Sequence, residues 1–329
     1  MDEPDLEVVR AAGPALVDEV ARLVDHSAGA GSVGSLSEAR RRALDGASAA
    51  GAASAASAAG AAGDGTVPGF LAVTARDPAR GTLVGYAQVD DEGDPTSSSA
   101  ELVVPRNDPG RARLADRLLG AAVGAFRADG GGHLRLWVTR PGPDDDARAT
   151  AHGLTWERDL LQLRCALPLP APTRADEVVT TRPFRVGLDE PAWITANNRA
   201  FAGHPEQGSW DLATLRAREA EPWFDPDGFR VHDAGGRLAG SCWTKVHGSG
   251  GAAVGEIYVI SVDPDFHGRG LGRALTRAGL DWLAAAGVTH GMLYVDGANA
   301  AAVGLYASMG FTTDHIDRAY VADVAPRAG

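Results

Sequence analysis

The fold of this chain is decided by three motifs: Glu256-Ile-Tyr-Val-Ile-Ser-Val-Asp263, His267-Gly-Arg-Gly-Leu-Gly272, and the segment from Asn299 through Tyr306 to Gly310-Phe311. The first motif is rich in β-branched residues and predicts a strand, and the second is a Gly-rich turn that opens a helix. The third predicts an Asn-led helix after a further strand. This order predicts an α/β domain in which helices flank a mixed sheet.

The glycine turn has the chemistry of an anion site. Gly268, Gly270 and Gly272 carry no side chains, so backbone N–H groups can approach a phosphate closely. The helix predicted over residues 271–286 carries leucines on one face, and its N-terminal dipole points at the turn. A Gly-rich turn alone is weak evidence. The prediction of a pyrophosphate site therefore depends on the strand before the turn and the Asn-led helix after it.

In this order the three motifs resemble those of the GCN5-related N-acetyltransferases (the GNAT family), which bind acetyl-CoA. The resemblance implies an acyltransferase with acetyl-CoA as cosubstrate and no metal. His267 stands where that family usually has Gln or Arg. The acetyl-CoA contacts that the resemblance implies are Ile260, Ser261, Val262, His267, Gly268, Arg269, Gly270, Leu271, Gly272, Arg273, Asn299, Ala300, Ala301, Ala302, Val303 and Gly304, with Leu102, Val103 and Val104 in the first half of the chain.

Acyl transfer to an amine requires a base for the ammonium and a proton for the departing thiolate. Glu256 stands on an otherwise apolar strand, where partial burial would make its carboxylate a stronger base. A strand-edge salt bridge is the alternative for Glu256. Tyr306 lies on the helix that the resemblance sets beside the thioester sulfur, and a phenol can donate to a leaving thiolate. Without the resemblance, an aromatic residue on a helix face is read as a core residue.

Backbone groups are a second source of contacts. If the strand at Ile260-Ser-Val262 separates from its neighbour, its N–H and C=O groups can pair with pantetheine as an added strand would. One N–H group could also polarise the thioester oxygen. The alternative is that these groups complete the sheet. Asn299 predicts a helix N-cap, and the same side chain can face cofactor atoms.

Segments upstream carry a narrower resemblance. Asn197-Asn-Arg-Ala-Phe-Ala-Gly-His-Pro-Glu-Gln-Gly208, Trp223-Phe-Asp-Pro-Asp-Gly228 and Trp243-Thr-Lys-Val-His247 resemble the mycothiol synthases, a family of tandem GNAT proteins, over most of the second half. The resemblance implies acetylation of the cysteinyl amine of cysteinyl-glucosaminyl-inositol to give mycothiol and CoA. It implies as substrate contacts Glu38, Glu206, Lys245, Glu256 and Tyr294.

The chemistry of these implied contacts is reasonable. A carboxylate such as Glu206 can hold an ammonium group, while Lys245 can donate to sugar or inositol hydroxyls. Without the resemblance, the segment around Glu206 is a polar turn and Lys245 is an exposed strand residue.

The two halves of the chain contain similar segments in the same order. Thr82-Leu-Val-Gly-Tyr86 corresponds to Arg237-Leu-Ala-Gly-Ser241, Glu101-Leu-Val-Val104 to Glu256-Ile-Tyr-Val259, and Gly153-Leu-Thr155 to Gly310-Phe-Thr312. Similar segments in the same order predict a duplicated fold of two tandem GNAT domains, each with a mixed, mostly antiparallel sheet flanked by helices. Prolines and charges after residue 168 predict domains at 1–168 and 181–329, joined by a linker at 169–180.

The first half is the more divergent copy. Pro109-Gly-Arg-Ala-Arg-Leu114 replaces the glycine turn with side chains that would crowd a pyrophosphate, and Ala149 stands in the position of Tyr306. The first half is therefore predicted to be a support or a weak CoA site. Its Ala/Gly/Ser-rich segment 46–65 has too little apolar bulk to pack and predicts a disordered insertion.

The charge and amino-acid composition of the chain limit the kinds of partner and the cellular location that we expect for it. The net charge of −12 over 329 residues argues against general nucleic-acid binding. The acidic N-terminus lacks the basic start and apolar core of a signal peptide, and no long apolar stretch follows, so we expect a cytoplasmic protein without membrane association. Cys165 and Cys242 lack metal-ligand spacing and are predicted to be small buried residues. Two paired domains would make a monomer sufficient.

Three classes of function remain open on the sequence. The first is mycothiol synthesis, and the second is an acetyltransferase for another amine, either a small molecule or a protein N-terminus. The third is a CoA-binding module without enzymatic activity, which the pair Glu256 and Tyr306 opposes.

Overall fold

A computed structural model describes residues 3–27, 37, 40, 43–48, 69–94, 97–105, 109–171, 179–202 and 208–327. The strands are β1 (Asp5–Val9), β2 (Phe70–Arg76), β3 (Leu83–Asp94), β4 (Ser97–Val103), β5 (Gly132–Thr139), β6 (Thr155–Ala166), β7 (Arg182–Pro183), β8 (Phe229–Ala234), β9 (Arg237–His247), β10 (Val254–Val262), β11 (His290–Asp296) and β12 (Thr312–Val324). The helices with described bounds are α1 (Pro14–Ser27), α2 (Arg111–Ala128), α3 (Pro143–Ala151), α4 (Glu190–Ala200), α5 (Leu212–Glu219), α6 (Leu271–Ala285) and α7 (Ala300–Ser308).

The chain divides into two compact units. The first comprises Met1–Asp159 together with Ile316–Gly329, and the second is Leu160–His315. These units differ from the domains predicted at 1–168 and 181–329 with a linker at 169–180. The reason is a long-range pairing, because β12 runs antiparallel to β5 and so completes the sheet of the first unit with the end of the chain.

The two units repeat one pattern of strand directions. The first sheet has the order β1-β2-β3-β4-β5-β12 and the second has the order β7-β8-β9-β10-β11-β6. The pairs β4–β5 and β10–β11 are parallel, and the other pairs within each unit are antiparallel. The predicted fold class, two tandem mixed and mostly antiparallel sheets with flanking helices, is confirmed.

Glycines at corresponding positions explain why the two units have similar sequence segments. A Cβ built on Gly85 would lie 2.9 Å from Leu118 Cδ1 of α2, and one on Gly240 would lie 2.7 Å from Leu275 Cδ1 of α6. The glycines therefore let α2, which follows β4, and α6, which follows β10, pack directly against their sheets.

The second unit has a different core on each face of its sheet. On one face, α6 buries Leu275, Leu280 and Leu283, as its leucine spacing predicts. On the other face, α4 covers an aromatic cluster in which Phe229 stacks on Trp243 with ring centroids 4.4 Å apart. Large rigid rings on this second face give its side chains little freedom to move.

The two cysteines are buried, as predicted, and both are free thiols. Burial raises the pKa of Cys165 to about 11 and that of Cys242 to about 12, so neither is a reactive thiolate at neutral pH. The predicted insertion at 46–65 lies outside the described residues from position 49 onward. Within the described part of the chain, no helix is both long and apolar enough to cross a membrane.

Candidate active site

The parallel pair β10–β11 opens immediately after Glu256. Gly255 lies opposite Gly291 and Glu256 opposite Met292, whereas β11 stays paired with β6 along its whole length. Within the described residues 257–262, β10 has no further register position on β11. The backbone groups on that side of β10 therefore face a gap in which an extended chain could form strand-like hydrogen bonds.

A β-bulge lies at the mouth of this gap. The register between β9 and β10 shifts between Ile257 and Val259, which makes Tyr258 the extra residue. As a result, Ile257 packs into the cluster under α6 while Val259 packs into the aromatic cluster on the opposite face. A bulge bends its strand and increases its twist, which accounts for the separation of β10 from β11.

The glycine turn leads from the far end of β10 into α6. Gly268 and Gly270 have φ values of 74° and 75°, a region that favours glycine. Gly270 is the N-cap, and Ala274 N donates the first helical bond to Gly270 O at 3.1 Å. The amides of the first turn before Ala274 consequently have no acceptor within the helix and can serve an anion. Gly272 differs, since a Cβ there would lie 3.6 Å from Leu305 Cδ2, an ordinary contact.

Side chains hold this turn at its start. His267 Nε2 donates to Val262 O at 2.9 Å, because a carbonyl oxygen can only accept. Asp263 is buried, accepts from Asp265 N at 3.0 Å, and lies 2.9 Å from Arg199 Nε. His267 thus has a structural contact that does not require the Gln or Arg usual at its position.

Glu256 lies on an interior strand, between β9 and β11, and a strand-edge salt bridge stays an alternative for it. Its Oε2 lies 2.6 Å from His247 Nε2. Lys245 is opposite Glu256 in the β9–β10 register and is buried rather than exposed. The Lys245 ammonium lies 4.3 Å from the ring centroid of Trp223, which is a cation–π distance.

Tyr294 extends the same row of polar side chains onto β11. Its hydroxyl accepts from Gln162 Nε2 at 2.6 Å, and Gln162 Oε1 accepts from Arg164 Nε at 3.0 Å. Gln162 is fully buried. The structure therefore brings Lys245, Glu256 and Tyr294 onto three neighbouring strands, whereas Glu38 and Glu206 lie outside the described residues.

Tyr306 belongs to the apolar cluster under α6, on the face of the sheet opposite to Lys245. It is 7% exposed, and its ring centroid lies 5.7 Å from that of Phe311. Burial raises the pKa of Tyr306 to about 12, with a smaller contribution from Cys242. The phenol therefore keeps its proton across the physiological range and is available as a donor.

Asn299 is the N-cap of α7, as predicted, and its side-chain oxygen accepts from Ala302 N at 3.1 Å. The first turn of this helix is exposed or half-buried, so its backbone groups remain accessible to a ligand. Arg273 Nη2 donates to Ser308 Oγ and connects α6 with α7. The implied contacts from Asn299 to Gly304 and at Arg273 therefore lie on adjoining helices.

The first unit repeats the gap without the glycine turn. The parallel pair β4–β5 ends at Glu101 opposite Trp137, which leaves Leu102, Val103 and Val104 beyond the last paired position. Gly110 caps α2 with φ −89°, unlike the left-handed Gly270. This difference agrees with the predicted loss of the anion turn in the first half.

The sequence motifs assign no role to His247, Gln162 or Trp223. His247 and Trp223 stand within quoted motifs, but their partners lie on other elements, and Gln162 is 132 positions from Tyr294. No local pattern encodes such contacts. The signal that could have identified Gln162 is its position, because it is a polar residue on a strand, directly opposite a predicted site residue.

Comparisons with known proteins agree with this geometry. Residues 193–311 match the model of the acetyltransferase (GNAT) family. A mycothiol acetyltransferase from Thermobispora bispora is 46% identical over 243 residues, covering 72% of this chain and 79% of the relative.

Solved structures match nearly the whole chain. A GCN5-related N-acetyltransferase from Sphaerobacter thermophilus has a TM-score of 0.68 at 22% identity, covering 99% of this chain and 98% of its own. A tandem GNAT protein from the clavulanic acid biosynthesis pathway has a TM-score of 0.65 at 19% identity, covering 98% of this chain and 100% of its own. At these identities the structures support the tandem GNAT fold alone.

Proposed function

Because the chain belongs to the mycothiol acetyltransferase family of acetyl-CoA-dependent GNAT N-acetyltransferases, we propose that it acetylates the cysteinyl amine of cysteinyl-glucosaminyl-inositol, giving mycothiol and CoA. The observation that carries the proposal is the gap between β10 and β11, which begins at Glu256 and leads to the glycine turn. The carboxylate of Glu256, the backbone groups that face the gap and the anion-binding start of α6 thus follow one another along β10 and the turn after it.

The cofactor contacts follow the chemistry of these backbone groups. Amides of residues 268–273 bind the pyrophosphate at the start of α6, where the helix dipole also favours an anion. Ile260, Ser261 and Val262 pair with pantetheine in the gap, and the exposed first turn of α7 contacts it from the other side. A main-chain N–H of β10 polarises the thioester oxygen.

The proton transfers use the two faces of the sheet. Glu256 accepts a proton from the acceptor ammonium, directly or through a water, and the resulting amine attacks the thioester carbonyl carbon. As the C–S bond breaks, Tyr306 donates its proton to the sulfur; the nitrogen loses its second proton to water as it becomes the amide, and water reprotonates Tyr306. The position of Tyr306 in the opposite cluster supports this division, since the amine then approaches from the Lys245 face while the thiolate leaves toward the Tyr306 face.

The acceptor is bound by the polar row on the Lys245 face. Lys245 donates to acceptor hydroxyls from a site fixed by Trp223, and Tyr294 offers a hydroxyl oriented by Gln162. Glu206 holds the substrate ammonium, and Glu38 makes a further substrate contact. These roles rest on the family's pattern and on the positions of Lys245, Glu256 and Tyr294 on adjacent strands.

Removing one hydroxyl tests the acid. Tyr306→Phe should keep acetyl-CoA affinity and lower turnover by about 10² to 10⁴, the usual range for losing a general acid. Turnover is measured as thiol release, and affinity by calorimetry. Tyr320→Phe is the matched control, because Tyr320 is a buried tyrosine of the first unit that donates to Asp146. Unchanged turnover in Tyr306→Phe would remove Tyr306 from the mechanism.

A panel of acceptors tests the substrate. Acetylation of cysteinyl-glucosaminyl-inositol, with polyamines and peptide N-termini left unmodified, is the expected result. Efficient acetylation of one of those other amines instead would assign the chain to a different acceptor, and acetyl-CoA binding without any transfer would reduce it to a CoA-binding module.

A further inference from the structure

His247 and Glu256 form a close pair that the mechanism above does not use. His247 is the last residue of β9, and its Nε2 lies 2.6 Å from Glu256 Oε2. Their side chains are 24% and 12% exposed, so the contact is largely shielded from water. Resting on the proposed role of Glu256, we propose that His247 is the positioning residue of the catalytic base.

The direction of the hydrogen bond follows from the acceptor. An ionised carboxylate has only lone pairs, so the proton between the two groups belongs to His247 Nε2. This bond fixes Oε2 and leaves Oε1 of Glu256 to receive the proton of the acceptor amine. It also gives this largely shielded carboxylate oxygen a hydrogen-bond donor.

Neighbouring groups on the same face set the limits of this role. β9 contributes Lys245 as well as His247, and β11 contributes Tyr294, whose hydroxyl accepts from Gln162. Lys245 is a further positive charge near the carboxylate, but its ammonium lies over Trp223 at 4.3 Å. His247 is the group whose N–H lies within hydrogen-bond distance of Glu256 in the described structure. Its loss should therefore change the geometry of the base while the acetyl-CoA groove stays intact.

Two substitutions separate the bond from the bulk of the ring. His247→Leu keeps much of the volume and removes the donor, and we expect it to lower kcat by about 10-fold or more with KM for acetyl-CoA unchanged. His247→Gln, which restores an N–H donor, should recover a large part of the lost kcat.

His290→Leu is the matched control, since His290 is exposed at the start of β11 and its ring contacts Thr289. Its kcat and its KM for acetyl-CoA should match those of the unmodified enzyme. If His247→Leu also retains kcat, His247 has no positioning role.

A measurement without turnover distinguishes failure of this inference from failure of the proposed reaction. In proton NMR, the Nε2–H of His247 should give a downfield resonance protected from exchange with water, and Glu256→Leu should abolish that resonance. An enzyme inactive on the cysteinyl acceptor that still shows this resonance would overturn the substrate and keep the pair. A resonance unaffected by Glu256→Leu, or its absence from the unmodified protein, would overturn the pair itself.

Discussion

The equivalent carboxylates Glu101, which is buried, and Glu256, which is half-buried, have different surroundings in the two units. Glu256 has an imidazole partner beside the gap, whereas its first-unit counterpart Glu101 accepts from Ser37 N at 2.7 Å. Beside Glu101, Arg40 Nε lies 3.2 Å from Asp90 Oδ2, with both side chains buried. In the register of the neighbouring strand, Gln88 lies opposite Glu101, whereas Lys245 lies opposite Glu256.

Asp90 gives a prediction about pH and stability. Burial raises its pKa to about 6 from the ordinary 3.8, and Arg40 offsets this only in part. The folded chain therefore binds this proton more tightly than the unfolded chain, and the stabilisation present below about pH 4 is lost as pH rises through 6.

The comparison with Asp90→Asn isolates this effect, because the amide does not titrate. Between pH 4 and 6, the free energy of unfolding of the unmodified protein should fall relative to that of Asp90→Asn by about 1 to 3 kcal/mol. Denaturant titrations at several pH values measure the difference. A difference that stays constant with pH would show that Asp90 is already ionised in the fold at low pH.

At the same scale, local chemistry predicted some residues well and others not at all. The capping role of Asn299 and the burial of Cys165 and Cys242 follow from short-range rules about side-chain type. The partner of Glu256 could not be predicted, because its position depends on the β9–β10 register and on a bulge at Tyr258. A strand sequence specifies which residues alternate, and its partner strand decides which of them meet.

The interior glycines of α6 and α2 differ in how much space surrounds them. In α6, a Cβ on Gly279 would collide with Cys242 Sγ and lie 3.0 Å from Ile257 Cδ1. In α2, a Cβ on Gly124 would meet nothing within 4 Å. The first glycine permits close packing on the sheet, and the second only lowers helix propensity.

The two Gly→Ala substitutions should therefore have opposite signs. Gly124→Ala should stabilise the protein by about 0.5 to 1 kcal/mol through helix propensity and reduced unfolded-state entropy. Gly279→Ala should destabilise it by about 1 to 3 kcal/mol through overpacking. Denaturant midpoints measure both. Stabilisation by Gly279→Ala would mean that α6 packs less closely than described.

The glycine turn permits a similar separation of backbone strain from ligand contact. Gly270 is left-handed, so Gly270→Ala should cost about 1 to 2 kcal/mol of stability and also weaken acetyl-CoA binding. Gly272 is free of such strain, so Gly272→Ala should leave stability unchanged and raise KM for acetyl-CoA if a phosphate lies against the turn. Calorimetric binding and thermal unfolding of both variants distinguish the two effects. Unchanged affinity in both would place the pyrophosphate elsewhere.

The similar segments of the two halves predicted the duplicated elements, because each segment contains a residue that the local backbone geometry requires. Gly153 and Gly310 both have positive φ, and in both units the next residue donates back to the helix, Leu154 to Ala149 and Phe311 to Tyr306. The pairing of β12 with β5 was not predicted, because the two strands lie far apart in the chain. Domain boundaries drawn from linker composition could not include this pairing.

For the whole molecule, the duplicated architecture predicts unequal use of equivalent carboxylates. Glu101 and Glu256 each stand at the last parallel register position before a gap. Burial raises the pKa of Glu101, and its carboxylate already accepts the Ser37 N–H group. The first unit also lacks the left-handed glycine cap and has Ala149 in place of a phenol. Catalysis should therefore depend on the second unit alone.

Glu101→Gln and Glu256→Gln form the matched pair that tests this asymmetry. Glu101→Gln should leave kcat unchanged, because Gln retains an oxygen for Ser37. Glu256→Gln should lower kcat by about 10² to 10⁴ near neutral pH and recover in part at alkaline pH, where the amine deprotonates without a base. Steady-state assays across pH measure both variants. A Glu256→Gln profile identical to that of the unmodified enzyme would require another base, and a large loss in Glu101→Gln would give the first unit a share in the chemistry.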